Sequence, residues 1–317
     1  MKIVAITGMD LTYVSNAMPE DLKNRIQFHW FKSSEAAYDY LPDADAIVTA
    51  GRMNPTIMKL AENVKWIQTL SAGVDKLPLK ELAERGITLT NARGVHTIQM
   101  SEFTISLMLQ WVRKSNILHG FQQKQIWDSQ ITFGELYGKT IGIVGAGAIG
   151  EAIARKAKAF DMNVIGLNRS GKPQPAFDHM FHGEEGLQQL LTESDFIVLL
   201  LPSTSKTRRF LTTDHLTLMK PSAFLINLAR GDVIDEEALI DALQKGRLAG
   251  AALDVFEHEP LPASSPLWRL DNVIVTPHIA GSSVHYTERA SAIVYHNIRV
   301  MLDGGDMMNV VNLNEGY

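Results

Sequence analysis

The sequence predicts an α/β protein made of two doubly wound, parallel-sheet domains. Three observations carry this. Short apolar runs alternate with segments of helical spacing along most of the 317 residues, the pattern of parallel strands covered by helices. Some runs, such as 224–227 (FLIN), are almost wholly apolar, as strands buried on both faces must be. The run 141–144 (IGIV) leads through glycines 145, 147 and 150 into a helical pattern with Ile153, Ala157 and Phe160. Strand, glycine turn and helix in that order open a dinucleotide-binding unit.

Composition bounds the rest. The chain is 45% hydrophobic and 21% charged, with a net charge of −5 and no cysteine. This is ordinary globular usage with room for two domains. The mild charge and the lack of a basic run argue against nucleic-acid binding. Without cysteine there is no disulfide, thiol nucleophile or thiolate metal site. The histidines show no ligand spacing, so no metal is expected. MKIVAITGMD at the start reads as a first strand and not a signal peptide. No apolar run approaches about 18 residues. The expectation is a cytoplasmic protein with no membrane partner.

In the first domain, strands are predicted at 3–6, 46–49, 66–70 and 87–90, and helices at 19–25, 34–41, 55–63 and 79–85. Pro19 and Pro55 stand where a first helical turn tolerates proline. Two loops follow strand ends, where open α/β sheets bind ligands. One carries Arg52. The other, Ser71-Ala72-Gly73-Val74, has the form of a row of backbone N–H groups that faces an anion. Taken alone, its plainer reading is a turn at Gly73 with Asp75 capping the next helix.

Residues 97–118 predict one long helix, apolar around most of its circumference and bridging the domains. The polar stretch 122–133, with Trp127 and Phe133, suits an arm against a partner subunit or a loop on its own domain. Further strands are predicted at 163–167, 195–201, 224–227, 251–255 and 272–276, with helices near 186–192, 214–219 and 236–245. A last helix, 283–302, places Ala290, Ile293, Val294, Ile298 and Met301 at helical spacing and returns to the first domain. The domains are therefore drawn as 1–97 with 284–317, and 98–283.

Each glycine of the turn has a physical role. Gly145 permits the tight turn, Gly147 lets backbone approach a pyrophosphate, and Gly150 lets the helix lie on the strand. The free N–H groups of the helix start then face the phosphate charge. About 20 residues on, an NAD site carries an acidic residue for the ribose diol. Here the second strand runs into Asn168-Arg169-Ser170. Arg169 attracts a 2′-phosphate, and Asn168 and Ser170 offer it hydrogen bonds. NADP is thus expected in preference to NAD. Arg169 stacked on adenine in an NAD site is the alternative.

Three polar residues follow strand ends in the second domain: Arg230 in INLARG, Glu259 in DVFEHEPLP and His278 in TPHIAG. A histidine that donates a proton suits carbonyl reduction. A neighbouring carboxylate favours its charged form, and an arginine matches a substrate carboxylate. Each has a bland alternative when taken singly: a surface ion pair, a solvated acid, a strand cap.

With these residues in view the chain resembles the D-isomer-specific 2-hydroxyacid dehydrogenases over nearly its whole length. The segments are 138–150 (GKTIGIVGAGAIG), 199–207 (LLLPSTSKT), 226–235 (INLARGDVID), 251–262 (AALDVFEHEPLP) and 275–281 (VTPHIAG). The resemblance implies a flavodoxin-like substrate domain, a Rossmann NAD(P) domain, and a substrate site in the cleft between them. It implies that Arg230, Glu259 and His278 are catalytic and that Asp254 lies near the nicotinamide carboxamide. Gly145, Gly147, Ala148, Ile149, Asn168, Arg169, Ser170, Leu201, Pro202, Ser203, Thr207, Leu228, Ala229, Ala280 and Gly281 are implied around the cofactor, with Arg230, Asp254 and His278. It also turns Ser71 to Val74 into a carboxylate-binding loop.

SAGVD, RGVH at 93–96, PLW at 266–268 and the non-acidic NRS look most like the glyoxylate and hydroxypyruvate reductases. The implied reaction is reduction of a small 2-oxo acid to the D-2-hydroxy acid, with Arg52 and Trp268 as further substrate-side candidates. Trp268 either walls the substrate pocket or fills core. A phosphoglycerate dehydrogenase or a reductase of larger 2-oxo acids is the nearest alternative. A non-catalytic dinucleotide-sensing protein is the second. A homodimer is the implied assembly.

Overall fold

A computed structural model describes residues 1–315, in two compact units. One comprises Met1–His96 and the chain from Ser283 onward, the other Thr97–Ser282.

The first unit holds five strands: β1 (Lys2–Ile6), β2 (Gln27–Phe31), β3 (Ala46–Thr49), β4 (Trp66–Thr69) and β5 (Thr88–Thr90). They form an all-parallel sheet in the order β2-β1-β3-β4-β5. This is the flavodoxin-like order. β3 and β4 are buried at every position. Apolar layers lie on both faces, one around Leu11, Leu22, Trp66 and Ile298, the other around Leu41, Ile57, Ile67 and Leu82.

The second unit holds β6 (Thr140–Val144), β7 (Asn163–Leu167), β8 (His179–Phe181), β9 (Phe196–Leu199), β10 (Phe224–Asn227), β11 (Gly250–Leu253) and β12 (Val273–Val275). The order is β12-β11-β10-β9-β6-β7-β8, all parallel. Counted from β6, this is the Rossmann order with one further strand at the end. The direction of winding reverses between β6 and β9, so the carboxyl ends of these two strands mark the ligand crevice.

Two strands escape the sequence reading. β2 is an edge strand whose residues are exposed or half-buried, so QFHWF lacks the apolar run that marks a central strand. β8 has only three residues. The predicted helix 97–118 is two helices, Thr97–Val112 and Ser115–Gln123. Lys114 between them is left-handed at φ 51°. Ile117 and Leu118, which one continuous buried helix would cover, are 45% and 40% exposed. The helix before the break is fixed by Trp111, stacked on Phe224 at 4.4 Å. The helix after the 70–75 loop starts at Leu79 with Pro78 as its N-cap, so Asp75 is not the cap. Among the described residues no helix is long and apolar enough to cross a membrane.

Candidate active site

The glycine turn at the carboxyl end of β6 has the geometry its sequence requires. Gly145 has φ +98°, and a Cβ there would stand 3.0 Å from the Leu200 carbonyl carbon. Gly150 has no room either, with Ile143 Cγ2 at 3.1 Å from a built Cβ. Gly147 differs: its backbone is extended, and a Cβ would meet nothing within 4 Å. Gly147 therefore faces open space in front of the helix Ala148–Lys158, whose N-terminus has no side-chain cap. Uncapped N–H groups beside a cradle that a Cβ would fill suit a pyrophosphate. Ala148 and Ile149 open that helix.

At the end of β7 the structure redistributes the predicted roles. Asn168 Oδ1 accepts the N–H groups of Ser170 (3.0 Å) and Gly171 (2.7 Å). The asparagine thus shapes the turn with its oxygen and keeps only its amide for a ligand. Arg169 and Ser170 are exposed at the tip. On the loop after β9, which includes Leu201, Thr207 Oγ1 donates to the Pro202 carbonyl (2.5 Å) and Ser203 Oγ to Asp232 (2.7 Å). Both hydroxyl protons are thus engaged in building the loop.

The loops after β10, β11 and β12 bring the three polar candidates to one edge. Asn227, at 2% exposure, accepts the Ala229 N–H and donates to the Arg230 carbonyl, both at 3.0 Å. This pins the Leu228-Ala229-Arg230 turn. The Arg230 side chain donates to the Ala229 carbonyl at 2.8 Å. A Cβ on Gly231 would lie 1.9 Å from the Phe256 carbonyl carbon, so the β10 and β11 loops press together and only glycine fits. Glu259 sits in the second of these loops, with Oε1 accepting from Phe256 N (3.3 Å). Its Oε2 lies 2.8 Å from His278 Nδ1. With Nδ1 so engaged, Nε2 is left to face a substrate. His258, the neighbouring histidine, is exposed.

His278 itself adopts φ +54°, an uncommon conformation for a non-glycine residue. Asp254 holds it there. This carboxylate is 2% exposed. It accepts from Thr276 Oγ1 (2.6 Å), Ile279 N (2.9 Å) and Ala280 N (2.8 Å), while its carbonyl takes the His278 N–H (2.8 Å). Both carboxylate oxygens thus bond the His278 turn, Oδ1 with two donors and Oδ2 with one. The Gly281 carbonyl is held by Gln99 Nε2 at 3.0 Å. Sequence reasoning missed Asn227 and Thr276 as clamps. The available signal was a polar residue closing an otherwise apolar strand.

In the other unit, the loop after β4 is organised from below. Ser71 N donates to Thr69 Oγ1 (3.1 Å), and Ser71 Oγ bonds Thr69 Oγ1 (2.7 Å) and the Gly73 carbonyl (2.6 Å). Ser71 is therefore scaffold. The N–H groups of Ala72, Gly73 and Val74 have no partner among the described residues. Gly51 packs on this loop, since a Cβ there would stand 2.2 Å from Ser71 Oγ. Arg52, next to it, is exposed. Trp268 is 52% exposed, with Nε1 on the Pro262 carbonyl (3.1 Å); its alternative as core filler is overturned.

A family model described as D-isomer specific 2-hydroxyacid dehydrogenase, NAD binding domain, matches residues 105–280. The chain belongs to this family. A glyoxylate reductase of Pyrococcus furiosus is 35% identical over 321 residues, covering 95% of this chain and 94% of that one. A D-3-phosphoglycerate dehydrogenase of Methanocaldococcus jannaschii is 37% identical over 284 residues, or 89% of this chain. The chain spans about half of that protein's length, 54%. Among solved structures, the NADPH-dependent glyoxylate/hydroxypyruvate reductase of Sinorhizobium meliloti, in complex with NADP and malonate, superposes with a TM-score of 0.82. It is 27% identical and covers 99% of this chain and 98% of that one. As a member of the 2-hydroxyacid dehydrogenase family, the chain is an NAD(P)-dependent oxidoreductase that interconverts 2-oxo and D-2-hydroxy acids.

Proposed function

We propose that the protein reduces glyoxylate, hydroxypyruvate or a similarly small 2-oxo acid to the D-2-hydroxy acid, with NADP preferred over NAD. The observation that carries this is the His278–Glu259 pair at 2.8 Å, on the strand-end edge that also holds Arg230, in a chain with an open Gly147 cradle. When bound, the nicotinamide supplies the hydride to the carbonyl carbon. Arg230 stabilises the charge that develops on the carbonyl oxygen. His278 delivers a proton to that oxygen from Nε2, and Glu259 orients the ring and balances its charge. The N–H groups of Ala72, Gly73 and Val74 are assigned to the substrate carboxylate, with Arg52 and Trp268 as further substrate-side residues.

The coenzyme preference rests on Arg169, Ser170 and the Asn168 amide with no carboxylate in the turn. Trp127, at 96% exposure, and Ile126, at 48%, are assigned to the contact between two copies of the chain. A cytoplasmic setting completes the proposal. The test is a coenzyme-oxidation panel with glyoxylate, hydroxypyruvate, phosphohydroxypyruvate and branched 2-oxo acids, each with NADPH and NADH. The highest kcat/KM is expected for the small acids with NADPH. A clear NADH preference overturns the coenzyme assignment, and selectivity for phosphohydroxypyruvate overturns the substrate class.

A further inference from the structure

In the loop after β4 the N–H groups of Ala72, Gly73 and Val74 have no partner among the described residues, and the carbonyls before and between them are all bonded. The Leu70 carbonyl accepts the Tyr286 hydroxyl. The Ser71 carbonyl accepts Ala92 N (3.0 Å), the Ala72 carbonyl Asn91 Nδ2 (2.9 Å), and the Gly73 carbonyl Ser71 Oγ (2.6 Å). This division has an electrostatic consequence. Along a short loop the N–H and C=O groups of successive peptides alternate, and a carbonyl that swings inward opposes an anion as strongly as an N–H attracts it. With four consecutive carbonyls bonded within the protein, the groups of this loop left for a ligand are donors.

Three of the four ties come from outside the loop. Tyr286 opens the helix Tyr286–Asp303. Its ring packs against His96 at 5.1 Å. Burial pushes its hydroxyl up to about 12, so it stays a donor throughout any working pH range. Asn91 is 6% exposed and is itself gripped by Asn309, which donates to the Asn91 carbonyl (3.2 Å) and accepts its N–H (3.1 Å).

We infer that Tyr286 is a positioning residue for substrate, holding the 70–74 loop in its anion-accepting form through the Leu70 carbonyl, with Asn91 as its counterpart two residues on. The inference rests on the carboxylate role given to this loop above. Without the hydroxyl, the peptide joining Leu70 to Ser71 is held only at its N–H, by Thr69 Oγ1 at 3.1 Å, so its carbonyl is released to swing inward and oppose the row of donors. A carboxylate that is bound equally in ground and transition states contributes to KM and not to kcat.

The experiment compares Tyr286→Phe with Tyr295→Phe. Tyr295 lies on the same helix and makes the same kind of bond, to the Val14 carbonyl at 2.7 Å, away from the loop. In Tyr286→Phe the KM for glyoxylate and the Kd for oxalate, titrated calorimetrically into the NADP-bound protein, should rise roughly tenfold, the scale of one net hydrogen bond. Its kcat and its KM for NADPH should stay near wild type. Tyr295→Phe should lose comparable stability and leave both carboxylate affinities unchanged. Equal effects in the two variants, or no change in Tyr286→Phe, overturn the positioning role. If Tyr286→Phe does not fold, Asn91→Ser carries the same expectation, and wild-type oxalate affinity there overturns it. Absence of turnover in the wild type with every 2-oxo acid strikes the reductase proposal alone, because the oxalate titration still reads the loop.

Discussion

Asp254→Ala removes the acceptor on which the His278 turn hangs. Three donors converge on that carboxylate, at 2.6, 2.9 and 2.8 Å, in a site 2% exposed. Alanine leaves the Thr276 hydroxyl and the Ile279 and Ala280 N–H groups without their acceptor. A buried donor left unsatisfied costs about 1–3 kcal/mol. Ala280 is the buried donor of the three, Thr276 being half-buried and Ile279 exposed, so the loss should be about 1–3 kcal/mol. For a unit of this size a loss of about 2 kcal/mol lowers the unfolding midpoint by roughly 4–8 °C. The turn also loses what holds His278 at φ +54°, a conformation a β-substituted residue leaves readily. A displacement of the imidazole by about 1 Å is enough to reduce turnover on the order of a hundredfold. Differential scanning calorimetry and steady-state turnover on the same preparation read both effects. The reasoning is refuted if the variant keeps kcat within a factor of about two and unfolds at the wild-type midpoint. That result would mean that the β12 loop is held by something other than Asp254.

Gly147→Ala should leave the unfolding midpoint unchanged, because its Cβ meets nothing within 4 Å, yet weaken NADPH binding measured by fluorescence titration. Gly145→Ala, at φ +98° and 3.0 Å from the Leu200 carbonyl carbon, should instead destabilise the fold by about 1–3 kcal/mol; a stable Gly145→Ala protein contradicts the turn geometry. His278→Gln should reduce turnover on the order of 10²–10⁴-fold with little change in NADPH affinity, and near-normal turnover removes His278 from proton transfer. Burial pushes the Asp195 carboxyl up, but the Thr140 N–H (2.9 Å) and the Lys220 ammonium (3.1 Å) outweigh it and hold it below its usual value. Its stabilisation is therefore complete above the unfolded value, about 3.9, and disappears as pH falls through the lower folded one. Asp195→Asn should be less stable than wild type by roughly 2 kcal/mol at neutral pH, with the gap closing in acid; a pH-independent difference in urea midpoints argues against this.

The fold class, the place of the glycine turn and the placement of Arg230, Glu259 and His278 beyond strand ends were all legible in the order of residues. They depend on local pattern. An apolar run, a glycine that must turn and a helical period can be read within a dozen positions, because strand and helix impose their spacing locally. The edge strand β2 and the three-residue β8 were not legible, since neither buries enough apolar surface to leave a pattern. The break at Lys114 was hidden by apolar residues beyond it that keep the helical spacing but face outward. Tertiary structure alone decided which polar groups spend their hydrogen bonds on scaffold. Asp254 clamps the His278 turn. Ser71 ties down its own loop. Asn168 shapes its turn with Oδ1 and keeps its amide. The partners that settle these roles lie far off in sequence: Asn91 and Ala72 are 19 residues apart, and Tyr286 and Leu70 are 216 apart. A hydrogen bond needs two atoms within about 3 Å and aligned. Only the register of the strands and the docking of the last helix determine which atoms meet that condition.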